Sequence, residues 1–558
     1  MLRSKGPLLT IDVSSQEWTT EDIDDVLSGF VGGRGVGTKL AHDRIPFDAD
    51  PLGPENRLYF TTGPLQASKM SFTGRMSATA VSPLTTGLLS SNAGGFMSRH
   101  FADSGYSAVE ITGESDELVA IHVTDESVEF EPVGDLEEAT VQEVTEYMEE
   151  HHSLSEDHIA AIGPAGENLV RFASIMTTDH RAFGRGGLGA VLGSKNVKAI
   201  TFEGDSPPDI EIPDVADDIH TGAATSDSIM KRQGTTSVTD LSNESEAFPS
   251  FYFEETSYPK YESINGDRVE EKKFKKATCS QCAFACKLPT RDADRGVETE
   301  GPEFETIMSF GGNCDVDDIV SIMKSNELAD DLGLDAISAG NTVAAYLAAT
   351  DEMGNDDLVH EMVEKIAYRE GDGDLLAEGI HRIHDELGVR DWTVKGLDFS
   401  AHDGRSLHGQ GLSFATANRG GDHMYSTFYA WEYPLVDQDE AVDPKGLEGK
   451  PPLVVEQEKR RAVEDAGIMC RFSRGEQTDE RMVALYDADY DELLDLGERI
   501  ISLERHFNNQ RGFDREDDTL PYELPDFEAA LDEYYDLHGW NQDGTVPEER
   551  LDEIEAVA

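Results

Sequence analysis

Basic residues are scarce in this sequence: Lys and Arg number 46 against 112 Asp and Glu, a formal net charge of −66 over 558 residues. Phosphate backbones bind to basic faces, so this composition excludes nucleic acid as a partner. Cysteine is scarcer still, with five in the chain and three of them between Cys279 and Cys286. So few thiols make no disulfide framework, and their clustering points to a metal instead. Long apolar runs are also missing. No stretch approaches the roughly 20 residues that span a bilayer. The apolar patch in MLRSKGPLLTIDVSS is too short for a secretion signal and is interrupted by Asp12. The expectation is a soluble, cytoplasmic protein with no membrane partner.

The acids are spread along the whole chain among apolar segments rather than gathered in a tail. That pattern suits a halophile's cytoplasm, where molar salt shortens the Debye length to about 3 Å and screens self-repulsion. The chain is too long for one core, and two or three domains are expected. Residues 1–207 carry short β-type runs such as RLYFTTGPL and KAITFEG, ending in the Pro-rich GDSPPDIEIPDVADD from Gly204. Residues 208–397 read as helical, with DVDDIVSIMKSNELADDLGLD stopping at Gly333. Residues 398–558 combine a Gly-rich loop region (402–426), amphipathic helices near 455–467 and 480–507, and an acidic end expected to be solvated and partly frayed. The fold class is therefore α+β: a β-rich first domain followed by two mainly helical ones. GGRGVGTKL (32–40) and GRGGLGAVLGSK (184–195) look loosely alike and suggest a duplicated half-domain.

CSQCAFACK spaces three thiols as Cys-x2-Cys-x3-Cys, at Cys279, Cys282 and Cys286. A short loop can wrap these around an iron-sulfur cubane, which needs a fourth thiolate from Cys314 or Cys470. Four thiolates suit zinc equally. The segment at Gly184, GRGGLG, has the form of a dinucleotide loop with Glu203 about 20 residues on, so an NAD(P)-dependent dehydrogenase using 184–189 is one reading. Arg181 and Arg185 flank these glycines, and Arg75, Asn92 and Gly94 form a second set in similar style. Two such sets suggest a large phosphate-bearing cofactor, cradled by backbone N–H groups and clamped by guanidinium. The bland alternatives are glycines serving tight turns and a zinc-stabilised, non-catalytic scaffold.

GGRGVGTKL, DPLGPENRLYFTTGPL, SSNAGGF, HRAFGRGGLGAVLGSKNVKAI, CSQCAFACK, GPEFET, DLGLD, ATANRGGDH and DAGIMCRF each resemble, in collinear order, a block of the aldehyde ferredoxin oxidoreductase family. The resemblance implies a tungsten bis-pterin bridged through Mg2+ at its phosphates, on a β-rich pterin-binding domain, with an adjacent [4Fe-4S] cluster. By motif position it places Arg75, Asn92, Gly94, Arg181, Ala182, Gly184 and Arg185 at the pterin phosphates, with Asn92 and the Ala182 carbonyl on magnesium. Asp330, Leu334, Asp335, Arg419 and Asp465 fall where the family grips the pterin rings. Cys470 becomes the fourth cluster ligand and Cys314 a structural thiol. The chain departs from the family pattern at Ile468, where glycine is usual, and at Tyr425, where lysine is common.

The implied reaction is oxidation of an aldehyde to a carboxylate, with electrons passed to ferredoxin. A carboxylate and an imidazole are needed to move protons. The resemblance points to Glu305 and His423, with Glu303 the rival carboxylate. The particular aldehyde is not selected by any motif, and a homodimer is compatible with the reading. The charge distribution generates the first prediction. The thermal midpoint, followed by circular dichroism, rises steeply from 0.1 M to molar KCl, and a midpoint that is flat or falls with salt rejects the halophilic reading.

Overall fold

The computed structural model describes residues 1–177, 180–436 and 438–556. Among them, twelve strands build two six-stranded sheets in the first 202 residues. The first sheet holds β1 (Leu8–Asp12), β2 (Glu17–Glu21), β3 (Leu58–Thr61), β4 (Met76–Val81), β5 (Leu88–Ala93) and β6 (Ala108–Thr112), in the order β2-β1-β6-β3-β4-β5. The second holds β7 (Val119–Val123), β8 (Val128–Pro132), β9 (Ile159–Ala161), β10 (Ile175–Thr177), β11 (Arg181–Phe183) and β12 (Val197–Phe202), in the order β11-β10-β9-β12-β7-β8.

The two topologies are identical once β1–β6 are matched to β7–β12. In each, the first and last strands pair in parallel, and every other pairing is antiparallel. The half-domain is duplicated, but not through the two passages that look alike. GGRGVGTKL opens the helix α1 (Gly33–Arg44) between the second and third strands of its half. The 184–195 passage lies between the fifth and sixth strands of its own, and its counterpart is Ala93–Asp103. Glycine-rich composition alone misassigned the partner.

The sheets face each other across an apolar layer in which Leu9, Ile11 and Phe60 meet Ile121, Phe183 and Ile200. Phe60 and Phe183 stack edge to face at 5.5 Å between ring centres. In β4 all six residues are buried, whereas the edge strand β2 is exposed throughout.

The 184–189 segment does not form a dinucleotide fold. It follows β11, an edge strand antiparallel to its neighbour, and opens only the six-residue helix α2 (Leu188–Gly193). A dinucleotide site needs a parallel strand on each side of a full crossover helix.

The helical part begins at Val215. Asp318 caps α3 (Ile319–Leu332) by accepting from the Val320 N–H at 3.0 Å, and Gly333 ends it in the left-handed region, as the sequence pattern predicts. Asp335 caps the next helix, α4 (Ala336–Thr350). The Gly-rich stretch 402–426 is not all loop, because α5 (His408–Thr416) lies within it with every residue buried; tertiary packing there overrides weak propensity. The helix expected near 455–467 is the longer α6 (Lys450–Gly467). The one expected over 480–507 is broken after Tyr486, where Asp489 and Glu492 form a capping box that starts α7 (Tyr490–Gln510).

The acidic end is not a frayed surface. In α8 (Phe527–His538), Tyr534 and Tyr535 are fully buried, and Tyr534 donates to Glu458 at 2.7 Å. His538 meets Glu498 at 2.8 Å, and the Trp540 N–H donates to Ser502 at 3.1 Å. Its aromatic residues, sparse among the acids, carry the packing. Asp518 is buried between Arg505 (2.9 and 2.8 Å) and Lys395 (2.6 Å). Removing one partner from such a buried set leaves charge uncompensated, so Arg505→Met lowers unfolding stability by about 3 kcal/mol in a denaturant titration. A loss near zero would make this cluster a surface feature.

Candidate functional site

The strands β5 and β11 are end strands of the two sheets and occupy matched places in the duplication. Asn92 stands on β5 and Ala182 on β11, and each strand runs into glycines and a short helix. This brings the two sequence sets for phosphate binding onto one composite edge. Gly184 borders open space: a Cβ added there would meet only the Ala182 Cβ at 4.0 Å. Gly94 is the opposite case, since its added Cβ would lie 3.3 Å from Cys279 Sγ and 3.4 Å from Arg75 Nη1. Backbone without a side chain thus lets the cysteine loop approach the cradle.

The segment 71–75 gathers the thiols from two distant parts of the chain. The Ser71 hydroxyl accepts from Ala283 N–H at 2.9 Å, and the Phe72 carbonyl accepts from Cys470 N–H at 2.8 Å. Ser280 N–H donates to Gly95 O at 3.0 Å. Cys286 is pushed up from the ordinary thiol range by burial and then by Cys470 and Cys279. Cys470 is likewise raised, by burial and by Cys282 and Cys279, against the pull of Arg75. The four thiols therefore lie near one another, where a bound cation would favour their ionising together. Cys314 is elsewhere, fully buried in the helical core with its Sγ 3.3 Å from Ser309 O.

Arg181 and Arg185, either side of the open cradle, are fixed by different partners. Arg181 pairs with Glu300 at 2.7 Å and Glu303 at 3.4 Å. Arg185 pairs with Asp335 at 3.1 Å and Asp398 at 3.2 Å. Asp335 is also the cap of α4, so the DLGLD block fixes a helix and an arginine at once. Asp330 accepts from Asn326 at 2.9 Å and is pushed well up by burial and Glu300. Leu334 packs its side chain in the helical core, forms a β-bridge with Ala173, and donates its N–H to Ala329 O at 2.7 Å. Arg419 donates to Ser90 O on β5 at 2.7 Å and pairs with Asp422. Asp465 accepts from Asn92 at 3.3 Å and lies between Arg34 (3.3 Å) and Arg471 (2.9 Å). Burial works against its ionisation, yet Arg471, Arg34 and Arg419 hold it below the usual carboxylate range.

Glu305 and His423 meet: Glu305 Oε1 is 3.2 Å from His423 Nε2, and Glu305 Oε2 accepts from Ala401 N–H at 2.7 Å. Glu303 faces away from them, toward Arg181 and Thr235. His402 joins the pair, its Nε2 3.6 Å from Glu305 Oε1 and its ring stacked on Tyr429 at 3.7 Å. Burial, then His423 and Arg474, push its pKa well down, so it is a neutral imidazole. Sequence reasoning missed His402, which lies in no motif, and also Asp398, Arg34 and Arg471. Arg34 inside GGRGVG and Arg471 inside DAGIMCRF were the available signals. Tyr425 is bound to Glu504 through its hydroxyl at 2.8 Å, with Arg34 over its ring.

Asn92 Oδ1, Arg181 Nε and Arg185 Nη1, near the open cradle, are buried without a hydrogen-bond partner in the protein, as are other side-chain atoms elsewhere in the chain. Buried polar atoms are usually paired, so those at the cradle fit the polar contacts of a bound phosphate-bearing group.

In overall form the chain is similar to the BamBC active-site complex of benzoyl coenzyme A reductase, solved with 1,5-dienoyl-CoA: TM-score 0.83 at 21% identity, covering 99% of this chain and 96% of that one. That likeness defines the fold. Residues 8–204 match the N-terminal domain of aldehyde ferredoxin oxidoreductase, and residues 214–555 match its domains 2 and 3. The tungsten-containing aldehyde ferredoxin oxidoreductases of Pyrococcus furiosus and Thermococcus kodakarensis are each 32% identical to it, with 98% of both chains covered. An aliphatic sulfonate oxidoreductase WOR-like subunit of Pyrococcus furiosus is 27% identical over 99% of this chain and 97% of its own. The chain belongs to the aldehyde ferredoxin oxidoreductase family.

The thiol geometry generates a direct test. In anaerobically purified protein, Cys470→Ser loses iron and the visible absorbance that dithionite bleaches, whereas Cys314→Ala keeps both. Iron lost from Cys314→Ala and retained in Cys470→Ser would reverse the assignment.

Proposed function

We propose that this protein oxidises aldehydes to carboxylates at a tungsten bis-pterin centre and passes the electrons through a [4Fe-4S] cluster to ferredoxin in a high-salt cytoplasm. The observation that carries this reading is the Glu305–His423 pair, Oε1 to Nε2 at 3.2 Å, with Glu305 half-buried and close to Arg185 at the open cradle. Cys279, Cys282, Cys286 and Cys470 would hold the cluster. A tetrahedral zinc site brings its thiolates to roughly 3.8 Å from one another at Zn–S distances of about 2.3 Å. Neither tight group of three or more ligand atoms within 4.8 Å among the described residues draws on these thiols, which favours the wider cubane over a zinc scaffold.

Arg75, Gly94, Arg181, Gly184 and Arg185 would bind the pterin phosphates, with Asn92 Oδ1 and the Ala182 carbonyl on magnesium. Asp330, the Leu334 backbone, Asp335, Arg419 and Asp465 would grip the ring systems. When bound, the tungsten centre accepts two electrons and the cluster releases them singly.

The net reaction takes R–CHO and water to R–COO⁻, three protons and two electrons, so the protein must remove protons. Glu305 Oε2 is occupied by Ala401 N–H, which fixes the carboxylate and directs Oε1 at His423 Nε2, 3.2 Å away, so that the pair takes a proton from water together. His423 then holds the substrate carbonyl by hydrogen bonding. Neutral His402, packed on Tyr429, walls the pair and excludes water. Arg75, Arg181 and Arg185 are committed to the cofactor phosphates in this reading and Arg419 pairs with Asp422, which favours uncharged aldehydes over phosphorylated ones. Glu305→Gln and His423→Ala retain tungsten and iron but lower kcat/KM with a viologen acceptor by about 10²–10⁴-fold. Glu303→Gln has a much smaller effect, and the reverse ranking would transfer the role to Glu303.

A further inference from the structure

The second sheet carries a cluster of ligating side chains that the oxidation chemistry does not use. Along β7 and β8, Ile121, Val123 and Val128 face the inter-sheet core, so the period-two alternation turns His122 and Glu131 to the opposite face. There they meet His152, the last residue of the helix Val141–His152. His122 Nε2 lies 3.1 Å and His152 Nε2 2.9 Å from the same atom, Glu131 Oε2, and the two imidazoles are 4.4 Å apart. We propose that His122, Glu131 and His152 bind one divalent transition-metal ion of the zinc type, with a fourth position open to water.

Three features support the assignment. Each ligand on the strands has a partner that frees the correct lone pair. His122 Nδ1 is 2.9 Å from Thr201 Oγ1, so a proton on Nδ1 leaves Nε2 bare, and Tyr147 donates to Glu131 Oε1 at 2.8 Å, leaving Oε2 bare. The spacing is near that of a tetrahedral site, where bonds of about 2.0–2.1 Å separate ligand atoms by roughly 3.3 Å. The site also lies at a helix C-terminus, where the carbonyl dipoles favour a cation. A bound ion would tie the β7–β8 hairpin to the end of that helix.

The test uses the holoenzyme after dialysis against a chelator, titrated with Zn2+ in competition with a chromogenic chelator, and separately with Co2+. The expected result is one equivalent of tight Zn2+, with cobalt d–d bands and no thiolate charge transfer. His122→Ala and Glu131→Gln weaken this binding by about 100-fold, and Thr201→Val by about 10-fold. Rates of aldehyde oxidation and far-UV circular dichroism remain those of the wild type. Zn2+ binding that is absent from the wild type, unchanged in the variants, or accompanied by thiolate charge transfer overturns the proposal and leaves a hydrogen-bonded His–Glu–His cluster.

Discussion

The Asp465 carboxylate is the contact on which the assembly of the site depends. It sits at the end of α6 and binds Asn92 of the β base, Arg34 of α1, and Arg471 beside the thiol Cys470. One anion thus joins the cradle, the base and the cluster loop. Arg34 is itself fully buried and held by Glu504 at 2.7 Å through both Nε and Nη2, and burial, which alone would favour neutral Arg34, is outweighed by Glu504 and Asp465. Buried charge of this kind adds little net stability over an apolar core, because desolvation consumes the Coulomb gain. Its contribution is geometric: these charge pairs hold the cradle and the Cys470 loop fixed relative to each other.

The same junction explains the departure at Ile468. The residue ends α6 at φ 65° and ψ 47°, a left-handed conformation that costs an L residue roughly 1–2 kcal/mol and ordinarily belongs to glycine. Its side chain is fully buried, resting in the hollows above Gly33 and Gly63, where it occupies the space an added Cβ would need. Burial of an aliphatic side chain returns about 1.5–3 kcal/mol, enough to offset the backbone strain. The cap therefore keeps its turn without glycine, and Cys470 keeps its place two residues later.

What was legible in the sequence follows from how local the chemistry is. The three-cysteine loop, the glycines after β5 and β11, and the Asp-capped helices are each specified within about ten residues. The α+β order was legible for the same reason. His402, Asp398 and the Arg34–Glu504 pair were not, because they act through partners far apart in the chain; Arg34 and Glu504 are 470 residues apart. The acids of the C-terminal end are mostly exposed, as expected, but its packing was missed because composition counts the acids. Its few aromatics and a capped helix against α6 and α7 decide its burial.

Short sequence steps also separate the electron side of the proposed site from its proton side. In HRAFGRGG, Arg181 reaches Glu300 and Glu303 and adds its field to Cys279 and Cys286, while Arg185 turns to Asp335 and Asp398 and lies near Asp422 and Glu305. In GPEFET the same division falls between Glu303, on Arg181, and Glu305, on Ala401 N–H and His423. Gly184 lies between the two arginines where the cradle is open. A group seated there would have thiols and fixed cations on one side, which favour the departure of electrons as the cluster charge changes. On the other it would have the Glu305 carboxylate paired with the His423 imidazole, placed to take up a proton. Coupled removal of electrons and protons requires both environments within one buried site, and the duplicated strand edge supplies the shared wall between them.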